Sequence, residues 1–298
     1  MFDVITFGSA VVDVFVYTDL AEKAGHVCYN VGSKILINDL KFDVGGGGTN
    51  TAVAFSRLGF RTGSIGRVGN DANGKRILNL LEKESVKFLG KVDENHATGY
   101  SVILDSKAKD RTILTYKGAN DHIKWGELNT GALITKWLYL SSLLEESFET
   151  QKKLVEYLAK RGAKIAFNPS EYLIRKKNIH SILKHCEVLV LNKEEAQLLV
   201  SRGDLLEGLY NLGPRIVVIT DKDKEITAYD GDKKYSLKPH KVKVVERTGA
   251  GDAFASGFVA GQIIGKDIDW SLRLGLEESE SVIRYFGAKN KLLRRKLR

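Results

Sequence analysis

Thr248-Gly249-Ala250-Gly251-Asp252-Ala253-Phe254 is a glycine-rich turn that hands an aspartate directly to a helical run over residues 253–265. Gly249 and Gly251 carry no side chain, so the backbone there can approach a ligand closely. Successive N–H groups at a helix start carry partial positive charge and make an anion cradle. An aspartate beside such a cradle sets a proton acceptor next to a phosphate, the pairing that phosphoryl transfer to a hydroxyl requires. An ordinary loop followed by a capped helix accounts for the same seven residues equally well, since Gly is common in turns and Asp at helix starts.

Upstream of this turn, short apolar runs at 137–140, 164–167, 188–191 and 216–219 are bounded by polar or turn residues. They read as buried parallel strands. Amphipathic segments at 148–160 and 194–200 lie between them and are long enough for crossover helices. The alternation predicts a three-layer α/β sandwich around a mostly parallel sheet, with ligands at the C-terminal ends of the strands. The first third differs in texture. Residues 11–17 and 34–41 read as strands, and 100–104 with 111–116 alternate as a hairpin around the polar loop 105–110, without intervening helices. The expectation is one domain over residues 1–298, with a small β-sheet lid formed by about 12–42 and 95–118.

At 298 residues the chain can bury about three quarters of its unfolded surface. A hydrophobic content of 43% with only 3 prolines argues against long disordered segments. Cys28 and Cys186 are too few for a disulfide framework and read as buried small hydrophobes. The start, Met1-Phe2-Asp3-Val4-Ile5, lacks the basic-then-apolar order of a secretory leader, and no run approaches the roughly 18 apolar residues of a membrane span. A cytoplasmic protein is expected. The net charge of +9 suits nucleic acid, an anionic membrane surface or a small acidic substrate. However, Lys289, Lys291, Arg294, Arg295, Lys296 and Arg298 crowd the C-terminus, which reads as a solvated end, so a nucleic-acid partner is not expected.

Other motifs narrow the chemistry. Gly45-Gly46-Gly47-Gly48 precedes Thr49-Asn50 and a helical segment at 51–58, which favours close backbone approach to a ligand over a linker. Asn50 is either an N-cap or an amide that binds hydroxyls. Residues 69–76 have P-loop spacing, but Arg76 stands where Ser or Thr would hold magnesium. The dinucleotide fingerprint begun at Gly249 fails at Phe254, which makes a nicotinamide dehydrogenase unlikely. Asn192-Lys193-Glu194-Glu195 follows a strand with capping-box spacing, and Glu195 is equally suited to a hydrated magnesium ion. The six histidines show no ligand spacing and no G-x-S-x-G elbow occurs.

Taken together, these motifs resemble the ribokinase/PfkB family of carbohydrate and nucleoside kinases along essentially the full length. The glycine run with Asn50, continuing through Arg57-Leu58-Gly59 to Gly66-Arg67-Val68-Gly69-Asn70-Asp71, looks like the N-terminal signature of that family. Thr248 to Phe254 looks like the C-terminal one, with Asn192 to Glu195 as the N-x-x-E motif between. The resemblance implies transfer of the ATP γ-phosphate to a hydroxyl of a small sugar or nucleoside. Asp252 would be the base, and the N–H groups of Gly249, Ala250 and Gly251 the anion hole. Asp13, Gly46, Gly47 and Asn50 would bind the acceptor. Asn192, Thr220, Thr248 and Gly251 would serve the nucleotide, with Glu195 for Mg2+ and a K+ site near Glu246 and Thr248. A homodimer through the exposed edges of the lid is also expected.

The chain departs from the family pattern in several places. The turn 221–225 has no glycine, Glu246-Arg247 replaces the usual Asp-Thr, and Leu276-Glu277-Glu278-Ser279 occupies the helix that meets the base. Gly47 stands where ribokinases carry a lysine and Leu143 where they carry a glutamate, so ribose is not favoured. A regulator built on a degenerate kinase fold is the alternative these departures suggest.

Overall fold

The apolar runs are strands because, apart from Lys164 and the half-buried Ile216 at their starts, their residues are buried on one face of a sheet or the other. The computed structural model describes residues 1–19, 26–105 and 111–297; residues 20–25 and 106–110 of the expected lid and Arg298 of the tail lie outside it. The first part of the chain runs β1 (Phe2–Phe7), β2 (Val11–Tyr17), β3 (Asp39–Gly45), α1 (Gly47–Arg57), β4 (Thr62–Ile65), β5 (Arg67–Gly69), α2 (Ala72–Lys83), β6 (Lys87–Phe88), β7 (Lys91–Asp93), β8 (Gly99–Asp105) and β9 (Arg111–Tyr116). The second runs β10 (Thr135–Ser141), α3 (Glu145–Ala159), β11 (Lys164–Asn168), α4 (Glu171–Lys176), α5 (His180–Leu183), β12 (Cys186–Asn192), α6 (Lys193–Leu199), α7 (Leu205–Tyr210), β13 (Ile216–Thr220), β14 (Ile226–Tyr229), β15 (Lys234–Leu237), α8 (Ala250–Ile263) and α9 (Ile268–Ile283).

Nine strands form the main sheet in the order β15-β14-β13-β12-β11-β10-β1-β4-β6. From β13 to β6 every neighbour is parallel, and β14 and β15 close one edge antiparallel. Strand residues alternate between faces with period two, so one continuous apolar run feeds two cores. Ile5, Leu138, Leu189 and Val217 face α3 through Phe148 and Leu154. Val4, Tyr139, Val190 and Val218 face the opposite side, with Phe55 of α1 and Phe258 of α8. The result is the expected three-layer α/β sandwich. Helix α8 is apolar around its whole circumference, as a helix caught between sheet and helix must be. Gly257 lets α9 come close: a Cβ there would stand 2.9 Å from the Gly275 Cα.

A separate four-stranded sheet, β3-β2-β8-β9, overlaps the residues expected for the lid but runs past residue 42 to Gly45, with β8 and β9 antiparallel as read from sequence. Its third strand is displaced: the expected 34–41 becomes Asp39–Gly45. Pairing with β2 sets this register, placing Asp43 opposite Asp13 and Gly45 opposite Val11. The strand therefore runs straight into the glycines that open α1, while the apolar Leu36 and Ile37 are left exposed.

Two further expectations are corrected. Cys186 is buried, where desolvation pushes its thiol pKa up, but Cys28 is exposed. The C-terminal tail is not a frayed, solvated end. Ala288 and Leu292 are buried, the backbone N–H groups of Arg295 and Leu297 donate to the Arg57 and Leu58 carbonyls, and Lys289 is 4% exposed. Among the described residues no helix is long and apolar enough to cross a membrane.

Candidate active site

The four glycines meet two different steric demands. Gly46 adopts φ 94°, and a Cβ on it would stand 2.4 Å from the Ser9 carbonyl oxygen. Gly48 donates its N–H to that same carbonyl at 3.0 Å, and a Cβ there would press on Gly8. Helix α1 can therefore begin directly against the turn that follows β1. Its N-cap is Gly46, so Asn50 lies one turn inside the helix and is not a cap. The Asn50 amide reaches across: Nδ2 donates to Asp252 Oδ2 at 2.8 Å, while Oδ1 accepts from Lys289 Nζ at 2.6 Å.

Asp252 sits in the first turn of α8, behind Gly249 at φ 80°. Gly249 has no room for a side chain, because a Cβ would come 2.4 Å from that of Ala288, whereas a Cβ on Gly251 would meet nothing within 4 Å. One glycine thus serves a tight turn and the other borders open space. The Ala250 N–H donates to the Arg247 carbonyl at 3.2 Å. Those of Gly251 and Asp252 belong to the helix's first turn, which has no intrahelical acceptor of its own. Glu246 braces the approach to the turn: its Oε1 accepts from both the N–H and the hydroxyl of Thr248, at 2.9 and 2.8 Å. Burial pushes the Asp252 carboxyl above the usual range, against the Asn50 hydrogen bond and the Lys289 charge, which favour its ionised form.

Two adjoining clefts meet at Asp252. One, of about 140 Å³, is lined by Ser9, Gly47, Ser141, Asn168, Glu195 and Asp252 among others, and none of its described lining residues is cationic. The other, of about 220 Å³, is bordered by Asn192, Thr220, Gly249 and Gly251, and shares Asn168, Glu195 and Asp252 with the first. Both open at the C-terminal ends of β10–β13. Asn192 and Glu195 form a complete capping box at the start of α6, with Asn192 Oδ1 accepting from the Glu195 N–H and Glu195 Oε2 from the Asn192 N–H. Burial pushes the Glu195 carboxyl up to about 7. Among the described residues no three His, Cys, Asp or Glu side chains converge as a metal cage. A magnesium ion carried on nucleotide phosphates needs only one or two carboxylates, and Glu195 fits that role.

Residues 1–295 match the description "pfkB family carbohydrate kinase". The chain belongs to the pfkB family of carbohydrate kinases. As a pfkB carbohydrate kinase it is a phosphotransferase that acts on an alcohol group. It is 29% identical over 289 residues to a ribokinase of Bacillus subtilis, covering 97% of this chain and 95% of that one. Its fold matches the nucleoside kinase of Methanocaldococcus jannaschii with a TM-score of 0.83 at 22% identity, over 98% of this chain and 95% of the other. A putative ribokinase II of E. coli, solved with ATP and Mg2+, matches with a TM-score of 0.83 at 19% identity over 98% and 96% of the two chains.

In this pfkB kinase the sequence-derived residues differ in how they meet the two clefts, with Glu195 and Asp252 shared by both. Gly47, Glu195 and Asp252 line the first cleft, and Asn192, Thr220 and Gly251 the second. Asp13, Gly46 and Asn50 stand behind the first; Asp13 is 7% exposed and in electrostatic reach of Asp252. Thr248 borders neither cleft, its hydroxyl being committed to Glu246. Reading the sequence missed Ser141, whose buried hydroxyl has no hydrogen-bond partner among the described residues. Its place at the end of a central strand was the available signal. Lys289, hidden in a basic tail, gave none.

Proposed function

We propose that this kinase transfers the γ-phosphoryl group of ATP to a hydroxyl of a neutral sugar or nucleoside, with Asp252 as general base. The observation that carries the reading is the position of Asp252 at the junction of two clefts, oriented by Asn50 at 2.8 Å. The acceptor occupies the cleft of Ser9, Gly47 and Ser141, with Asp13, Gly46 and Asn50 supporting it from behind. Its hydroxyl proton passes to Asp252 as the oxygen attacks phosphorus. In this reading the N–H groups of Gly249 and Gly251 receive the charge that spreads over the transferring group, and that of Ala250 joins them by leaving the Arg247 carbonyl, an arrangement that lowers the barrier without covalent help. The phosphates run along Asn192, Thr220 and Gly251. Mg2+, held at Glu195, supplies neutralisation of the phosphate oxygens when bound.

Asp13, Asp252 and Glu195 make the acceptor side acidic, which disfavours an acceptor already carrying a phosphate. ADP release measured with D-ribose, D-fructose, D-fructose 6-phosphate, cytidine and adenosine tests this; turnover best with the phosphorylated sugar contradicts it. The complete base, cradle and capping box favour catalysis over a regulator that only binds. We further propose a homodimer through the lid, whose edge strands expose Leu40, Phe42, Ile113 and Leu114. Glu246, which the sequence set beside a K+ site, accepts two hydrogen bonds from Thr248 through Oε1.

A further inference from the structure

Lys289 is 4% exposed and is the only buried lysine among the described residues. Lysine is almost never buried unless paired. Here the pairing comes from β2, from the adjoining β3 and α1, and from α8. Its Nζ donates to the Val44 carbonyl at the end of β3 and to Asn50 Oδ1 on α1. Asp13 of β2, Asp43 of β3 and Asp252 of α8 surround it electrostatically. The backbone is anchored as well: the Lys289 carbonyl accepts from the Arg57 guanidinium, which also pairs with Glu84. Arg294 joins the same Glu84 from further along the tail.

An amide in contact with both an ammonium and a carboxylate has only one satisfactory orientation. Asn50 must turn its oxygen to Lys289 and its N–H to Asp252; flipped, it would set N–H against N–H and oxygen against oxygen. The same ammonium balances part of a cluster of three carboxylates, two of which lie beside the acceptor cleft.

We infer that Lys289 is a positioning residue for phosphoryl transfer: carried in by the C-terminal segment, it fixes the Asn50 amide toward Asp252 and balances the Asp13, Asp43 and Asp252 charges. The inference rests on Asp252 being the base. The groups that face Asp252 are Asn50 from α1, Lys289 from the tail, Asp13 from β2 and the buried Tyr139 from β10. Of these only Lys289 is cationic, so its removal acts in one direction on the ionisation of the base.

The test uses the full-length protein, MgATP and whichever of the five acceptors named above turns over fastest, with ADP release followed against pH. Lys289→Gln is expected to lower kcat roughly tenfold or more, leave KM for MgATP within about twofold, and move the acid limb of kcat to higher pH. A purely structural lysine would not move that limb. Should Lys289→Gln fail to fold, the pair Asp43→Asn with Lys289→Met, which removes one charge of each sign, carries the same expectation. A folded variant of either kind with the kcat and pH limb of the natural protein overturns the inference. Asp252→Asn in parallel separates the two claims: lost turnover there beside an unaffected Lys289→Gln removes only the role of Lys289. Turnover that survives Asp252→Asn removes the base, and Lys289 with it.

Discussion

Glu278→Gln isolates the energetic consequence of a carboxyl that the fold holds without water. Glu278 lies on α9 with 0% exposure. It accepts the Leu293 N–H at 3.0 Å, while its Oε1 has no partner among the described residues. Burial pushes it from the ordinary 4.5 up to about 7. The difference between 4.5 and about 7 corresponds to roughly 3–4 kcal/mol, of which about 3 falls between pH 5 and pH 8.5. The sign follows from which form the fold prefers. The folded protein favours the protonated acid, so the stability it contributes is complete below about pH 4.5 and lost as the pH rises through about 7. Glutamine keeps the acceptor for Leu293 and does not titrate. Urea unfolding of both proteins at pH 5 and pH 8.5 gives a double difference. The natural protein should lose about 3 kcal/mol more than the variant across that interval, or about 5 °C in Tm for a chain of this size. Equal losses in the two proteins would refute the reasoning, because they would show that the carboxyl is solvated or paired when ionised.

The remaining predictions concern the site and the lid. Glu195, pushed up to about 7, binds a proton where it would bind magnesium, so the Mg2+ needed for half-maximal turnover should rise as the pH falls below about 7. Glu195→Gln should raise that requirement at every pH, and a requirement unchanged by pH or substitution would exclude the residue. Gly46→Ala forces a Cβ at φ 94° against the Ser9 carbonyl, at a cost of roughly 1–2 kcal/mol before the clash is counted, so both melting temperature and turnover should fall. Unaltered melting would mean that the turn relaxes freely. Light scattering should find a dimer that Phe42→Asp with Leu114→Asp separates; a monomeric natural protein would dispose of the lid interface.

The central strands and the two ends of the site were legible in the sequence because their causes are local. Parallel strands buried on both faces read as unbroken apolar runs, and the capping box at Asn192 and Glu195 has a fixed spacing of its own. Position β3 depends instead on its pairing with β2, which nothing within 34–41 encodes. The turn at 221–225 has no glycine, and Lys222 takes the left-handed conformation itself at φ 52°. Glu278, which by sequence suggested an altered base pocket, instead holds the tail through the Leu293 N–H. Lys289 was the least legible of all. A cation in a basic terminal segment looks solvated, and only the folded chain brings Asp13, Asp43 and Asp252 around it.

The base assignment is tested most directly by single-turnover ADP release with Asp252→Asn beside the natural protein, at saturating MgATP and the preferred acceptor. The account predicts a rate at least about a hundredfold lower with MgATP affinity retained; a rate equal to that of the natural protein would contradict it.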